Sequence, residues 1–490
     1  MTQQREIPPP IPAGVEGSAT TFSRGSVVRA TLWTLGGEAA THPIRIISSL
    51  VLTRLLFPDD FGLMAVVHVF MHGLNMFSDL GIRPIIIRHE RGDDPAFLNT
   101  IWTVRLIRGA VLALASCGIA WPASRFYGQP LLAYILPVAS LNLLLEGFAS
   151  TKIFSHERRL SRARPTLINL ASSVSGVGFM IAWAWMFPSV WALVWGALVG
   201  TGVKVLLSHV ALPGPGNRFH WDRSAWREVA HFGKWVFLNS VVTFFALQMD
   251  KLVFAKLIPL GMLGVYSIAI NIVQLPVTAV RQVATSVAFP AFSRARNHLA
   301  DLTAVFDRMR LLLLLGGGAA LSFLIFNGPW LIALLYDPRY EDAGWILQVA
   351  AISGWFLVLE ASHGLMLLSL GHPRWLTLAS ASKILAMVAA VPPAFLAFGF
   401  PGALAAVSVI EAVRYVIESA RVRKAGLKYR RYERATTVLV LGCGVAAWLI
   451  HRAPWMSGGL ALRGVLSFAA FAAVWVPIGL WYLGKVRKPA

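Results

Sequence analysis

Between residues 27 and 484 the chain alternates long apolar runs with short polar interruptions. A helix crossing a bilayer needs roughly twenty apolar residues at ~1.5 Å of rise each. By that measure the pattern predicts fourteen spans, at 27–52, 61–82, 98–121, 130–151, 166–187, 189–210, 233–255, 263–287, 306–329, 344–370, 375–398, 402–420, 435–451 and 462–484. The first and third are the most polar, with Glu38, His42 and Arg45 in one and Arg105 and Arg108 in the other.

Composition strengthens this picture. Only 14% of the 490 residues are charged and the mean hydropathy is +0.63, whereas soluble domains carry about a quarter charged residues. A net charge of +21 would suggest a nucleic-acid partner in a soluble protein, so the placement of Lys and Arg decides its meaning. Counted loop by loop, about thirty cations fall on one side and about seven on the other. The phase holds through all fourteen predicted spans, which puts both termini in the cytoplasm and removes the nucleic-acid reading. Residues 1–25, with a proline run and no apolar core, read as a disordered cytoplasmic tail and not a secretory signal. Cys117 and Cys443 lie in apolar runs without metal-ligand spacing.

The stretch 51–67 superposes on 253–269 without a gap: Arg54 falls on Lys256, Leu56 on Ile258 and Gly62 on Gly264. Six spans separate the copies, so both cross in the same direction, as in parallel repeats related by an axis along the membrane normal. The predicted fold is therefore an all-α polytopic membrane protein with two six-helix bundles and two further helices. Its expected divisions are the tail, a first bundle at 26–210 and a cytoplasmic linker at 211–232 with a short interfacial helix. A second bundle at 233–421 and a basic loop with two helices and a tail at 422–490 complete it.

"LTRLLFPDDFGLMAV", "MFSDLGIRPIIIR", "RGDDPAFLNTIWTVRLIRG" and "QMDKLVFAKLIPLGMLGVYSIA" resemble bacterial polysaccharide-repeat-unit flippases, part of the multidrug/oligosaccharidyl-lipid/polysaccharide exporter superfamily. The resemblance covers roughly 25–300 and continues through "LLYDPRYEDAGWILQVAA" to about 421. It implies a transporter of the bacterial inner membrane that moves undecaprenyl-diphosphate-linked oligosaccharide to the outer leaflet by alternating access. Exopolysaccharide, capsule or O-antigen assembly would follow, with a polysaccharide polymerase and chain-length machinery as possible partners besides membrane lipids. No cofactor is implied.

Ionisable groups at membrane depth are expensive and usually face a cavity or a partner. The substrate-contact candidates are Arg45, Arg105, Arg108, Lys204, Arg281 and Lys383. Arg105 and Arg108, three apart, share a helix face. Arg45 stands two turns after Glu38, as a structural pair or a cavity residue. Lys204, Arg281 and Lys383 either contact substrate or snorkel to the cytoplasmic interface. Arginine can grip a diphosphate bidentately, and a net-cationic lumen suits one. Arg414, between Glu411 and Glu418, reads as a self-neutralised ladder. The gating or ion-coupling candidates are Asp79, which also reads as a fixing pair with Arg83, Asp250 beside Lys251, and Glu360 with His363, three apart in mid-span. His68 and His72 have metal-pair spacing but lack a third ligand. The absence of GxxxxGK[ST] argues against ATP hydrolysis. The alternatives are a drug/cation antiporter of the same superfamily, which an acidic first bundle would favour, and a polytopic glycosyltransferase or polymerase. For the latter the outward loops offer little beyond "YDPRYEDAG" at 336–344, so an enzyme is not expected.

Overall fold

The computed structural model describes residues 24–78, 81–82, 85–86, 91–295, 298–427, 430–452 and 459–486. Fifteen α-helices can be labelled among these: α1 (Arg24–Leu55), α2 (Pro58–Phe77), α3 (Pro95–Tyr127), α4 (Leu132–Phe148), α5 (Lys152–Arg158), α6 (Ala163–Met186), α7 (Trp191–Val210), α8 (Arg223–Leu257), α9 (Leu260–Val283), α10 (Phe289–Ala295), α11 (Leu299–Leu335), α12 (Ala343–Ser369), α13 (Arg374–Lys424), α14 (Arg430–Arg452) and α15 (Leu460–Val486). The described residues contain no strand.

Ten described helical segments are long and apolar enough to cross a membrane, or eleven with the bent pair α4 and α5, which meet at 58°. This makes the chain a multi-pass membrane protein. Fourteen spans are expected from the sequence, and α1 and α8, at 32 and 35 residues, are long enough to cross as well. α13 is 51 residues long and counts once, yet its backbone leaves the helical region at Gly399 (φ 65°, ψ −157°). That conformation is essentially open to glycine alone, and Pro401 follows it. The break separates the two stretches expected as 375–398 and 402–420.

The repeated corner is built the same way twice. α1 ends at Leu55 and Pro58 opens α2, where Asp60 Oδ2 accepts the Phe57 N–H at 3.1 Å. Asp59 and Asp60 thus occupy the first turn, where acids complement the helix dipole. Two hundred and two positions on, α8 ends at Leu257 and α9 opens after Pro259. The copies pack on each other through α2 and α9. A Cβ on Gly62 would lie 1.9 Å from the Leu260 carbonyl oxygen, and one on Gly264 would lie 2.0 Å from that of Pro58. Only glycine permits backbones this close. Leu260 is itself the repeat partner of Pro58, so the contact is symmetric. Lys256 Nζ donates to the Phe126 carbonyl oxygen at 2.5 Å. The Arg339 guanidinium donates to the carbonyls of Thr53 and Arg54 at 3.3 and 3.2 Å, and Tyr340 to that of Leu56 at 3.3 Å. In the orientation expected from the charge pattern, this closed end faces outward.

The short interfacial helix expected within 211–232 is not a separate element. Residues 211–222 are non-helical, and α8 runs unbroken for 35 residues from Arg223. The preceding segment is pinned along α3: the N–H groups of Arg218, His220 and Asp222 donate to Asn99, Thr103 and Thr100 side chains. Asp222 caps α8, accepting the Ser224 hydroxyl and N–H at 2.7 and 2.8 Å and an Arg91 bond at 3.1 Å, which together hold its carboxyl down at about 2. Asp94 caps α3 through the Ala96 N–H and also takes Arg91, and both lower it from the usual carboxylate value. One arginine therefore joins the caps of two long helices.

The appended helices α14 and α15 pack on α11. Arg310 is only 2% exposed and pairs with Glu433 of α14 at 2.8 Å. In the Gly316–Gly318 run, Gly317 meets Val358 and Gly318 meets Trp475 of α15, whereas Gly316 faces open space.

Candidate functional site

Two large cavities flank α8. The first, about 440 Å³, lies among α2, α4, α7 and α8 and is lined by His68, His72, Asn75, Asn142, Glu146, Thr201, Gln248 and Lys251, with Met64 and Met71 among its apolar residues. The second, about 430 Å³, lies among α8, α9, α12 and α13 and contains Arg281, Glu360 and Arg414. One face of α8 presents Gln248 and Lys251 to the first cavity; another presents Val242, Thr243, Ala246 and Leu247 to the second. Adjacent residues on a helix point about 100° apart, so Lys251 reaches a cavity while its neighbour Asp250 turns to α9 and accepts the Tyr266 hydroxyl at 2.5 Å.

The predicted cations distribute around these spaces. Arg105 donates to the carbonyls of Glu146 and Ala149 at 2.6 and 2.9 Å, capping the end of α4, and stacks over Phe154 at 5.2 Å. Arg108 turns to the end of α2 instead, bonding the Asn75 carbonyl and side chain at 2.8 and 2.5 Å and Ser78 at 2.8 Å. Cations at helix C-termini satisfy orphan carbonyls and complement the dipole. The two arginines still share a small cavity of about 40 Å³ with Asn75 and Glu146, both of which also line the first cavity. Lys204 approaches Glu146 at 3.5 Å. Arg45 is exposed and lines neither large cavity.

In the second bundle the cations are neutralised in place. Arg281 and Arg414 grip opposite oxygens of Glu360 at 3.0 and 2.8 Å. Lys383 pairs with Glu411 at 2.5 Å, both groups at most 7% exposed. The ladder expected within α13 is therefore half right: Arg414 Nε stands 3.6 Å from Glu418, whereas Glu411 turns to Lys383. Arg281 lies just before a π-helical turn (Ala284–Ala288), where Ala284 and Thr285 enter the cavity wall; such turns recur at functional sites. Glu360 turns to its two arginines, whereas His363 is fully buried beside Arg310 at 3.2 Å and the rings of Phe306 and Tyr415. Arg310 also bonds Ser362. Asp79 lies outside the described residues.

Several wall residues of the first cavity give no signal in the sequence. Asn75, Asn142, Thr201 and Gln248 are uncharged, and Lys251 reads from the sequence as part of a gate or a helix end. The histidine pair lines the same cavity, and no cluster able to hold a metal occurs among the described residues.

The polysaccharide biosynthesis protein family matches residues 51–344, more than half the chain, and the chain belongs to that family. Among its relatives, the lipopolysaccharide biosynthesis protein WzxC of Escherichia coli (strain K12) is 20% identical over 336 residues, 68% of this chain and 67% of that one. The succinoglycan biosynthesis transport protein ExoT of Rhizobium meliloti (strain 1021) is 21% identical over 56% of this chain and 55% of its own. The teichuronic acid biosynthesis protein TuaB of Bacillus subtilis (strain 168) is 21% identical over 60% and 61%. The matched stretch thus spans between 55% and 67% of these relatives' lengths. Among solved structures, lipid II flippase MurJ in an inward closed conformation superposes with a TM-score of 0.71 at 12% identity, over 94% of this chain and all of that one. An inward-facing multidrug resistance MATE family transporter of the MOP superfamily gives 0.64 at 13%, over 81% and 98%. At such identities the likeness establishes the fold: the chain has the two-bundle fold of that superfamily.

Proposed function

We propose that the protein is a flippase for an undecaprenyl-diphosphate-linked oligosaccharide, working by alternating access in the bacterial inner membrane with both termini in the cytoplasm. The observation that carries the reading is the pairing of family membership with two polar cavities on either side of α8, beneath a closed outer corner. The uncharged amides and Thr201 of the first cavity suit sugar hydroxyls, which both donate and accept hydrogen bonds. The Arg281–Arg414 pair of the second cavity suits a diphosphate, since guanidinium forks match phosphate oxygens. Arg105, Arg108 and Lys204 set the inner rim of the first cavity. The two bundles follow the divisions 26–210 and 233–421, and the appended helices α14 and α15 brace α11. Transport without catalysis and without ATP is the corresponding expectation, and polymerase and chain-length proteins would act after the substrate has crossed.

The test is genetic and biochemical. Deleting the gene strands lipid-linked repeat units on the cytoplasmic leaflet and abolishes the surface polymer. Repeat units that instead reach the outer leaflet unpolymerised would overturn the flippase reading in favour of a polymerase.

A further inference from the structure

The second cavity poses an electrostatic problem for an anionic substrate. Its cluster holds three cations, Arg281, Lys383 and Arg414, and three acids, Glu360, Glu411 and Glu418. With every acid ionised the cluster is neutral, and both guanidiniums suited to a diphosphate already hold Glu360. A diphosphate can take them only by displacing that carboxylate.

The neighbours of Glu360 decide the fate of the displaced carboxylate. Glu418 is 0% exposed, and neither of its carboxylate oxygens accepts a hydrogen bond. It stands beside Glu360: a point one Cβ bond from Gly364 lies 3.8 Å from a Glu418 oxygen and 3.9 Å from a Glu360 oxygen. The α8 face lining the cavity has no titratable side chain. On α13, Lys383 is committed to Glu411, and on α12, His363 points away to Arg310. Once its arginines are taken, Glu360 keeps only the field of Lys383, which is already paired with Glu411, and it has an acid for a neighbour. Two carboxylates that close in a dry interior do not both remain charged.

We propose that the second cavity is a combined anion and proton site: the diphosphate displaces Glu360 from Arg281 and Arg414, and Glu360 takes up one proton from water as the headgroup binds. The carboxylate becomes a carboxylic acid, the arginines exchange one anion for another, and no further reactant is required. Headgroup and proton then enter the cavity together. This rests on the flippase reading, from which it takes the diphosphate.

The experiment is calorimetric titration of the purified full-length protein in lipid nanodiscs with polyprenyl-diphosphate-linked N-acetylglucosamine. That probe is a diphosphate diester whose charge is constant across the working range. Titrations in two buffers of different ionisation enthalpy count the protons. The expected result is uptake of about one proton per ligand, so that affinity falls about tenfold per pH unit as pH rises. In Glu360→Gln, binding persists while proton uptake and the pH slope disappear, which a merely structural role for Glu360 would not produce. Binding to the wild-type protein with no proton uptake overturns this proposal and leaves the flippase reading intact. Uptake unchanged in Glu360→Gln overturns the assignment to Glu360. No binding by the wild-type protein overturns the proposal and the reading together.

Discussion

The ion pairs of the second bundle show what single residues contribute and what they cost. Charges buried away from water incur a desolvation penalty that their partner offsets only while both are present. Lys383 and Glu411 are 6% exposed each, so Lys383→Met is expected to destabilise the protein by about 3–5 kcal/mol. The double variant Lys383→Met with Glu411→Leu should recover most of that loss in a denaturant titration of the detergent-solubilised protein. Failure of the double variant to recover would mean that Lys383 has another essential partner. At the membrane surface Asp222 makes a pH-dependent contribution. Its folded value of about 2 lies below the ~3.9 of an unfolded aspartate, so the interaction is fully present above about pH 4 and lost as pH falls towards 2. Hydrogen exchange in the first turn of α8 should accelerate over that interval in the wild-type protein but not in Asp222→Ala. The presence of the buried charges was legible from the sequence; their pairing was not. Arg281 and Glu360 are 79 residues apart, and Arg310 meets an acid on an appended helix. Helical spacing exposes only partners three or four residues away, which is why the Arg414–Glu418 contact was foreseen and the Lys383–Glu411 contact was not.

At the scale of helices, hydropathy located the apolar segments well and the polar ones less well. α1 and α8 are span-length helices, and α8 extends ten residues before its expected start, from the Asp222 cap. The repeat was legible because its glycines are fixed by a contact. At Gly62 and Gly264 the backbones of α2 and α9 leave no room for a methyl group, so Gly62→Ala should force the outer ends of these helices apart. In a cysteine-free background, a cysteine at Met64 should then react several-fold faster with a membrane-impermeant maleimide applied from outside; an unchanged rate would mean that the corner does not seal the first cavity. Gly399→Ala should cost about 1–3 kcal/mol, since its backbone angles are foreign to residues with a side chain, and thermal unfolding in detergent would measure it.

For the molecule as a whole, the end proposed to face outward is closed by the glycine crossing together with side chains that reach across from one bundle to the other. Lys256 projects from the second bundle to the end of α3, and Arg339 from the second bundle to the end of α1. Both cap carbonyls left free by a helix terminus, so they stabilise only the arrangement in which the bundles meet. Removing both in Lys256→Ala with Arg339→Ala should shift the population towards an outward-open form. Spin-label distances across the outer face would gain a longer component, and a distribution identical to wild type would exclude the two side chains as latches. The positive-inside count and the repeat made this two-part architecture readable from the sequence alone. The closed corner itself was not readable, because which ends touch depends on the state that the two bundles occupy.

The contact at Gly62 and Gly264 has the form made by two identical subunits: position i of one meets j of the other, and j meets i. Such isologous surfaces are self-complementary. Either half, expressed alone as a six-helix chain, therefore carries both sides of the contact and could pair with a copy of itself in the bilayer. A gene encoding one half would have produced a symmetric dimer before duplication and fusion joined the two. Divergence could then place amides beside one face of α8 and arginines beside another, a division of labour that identical subunits could not have.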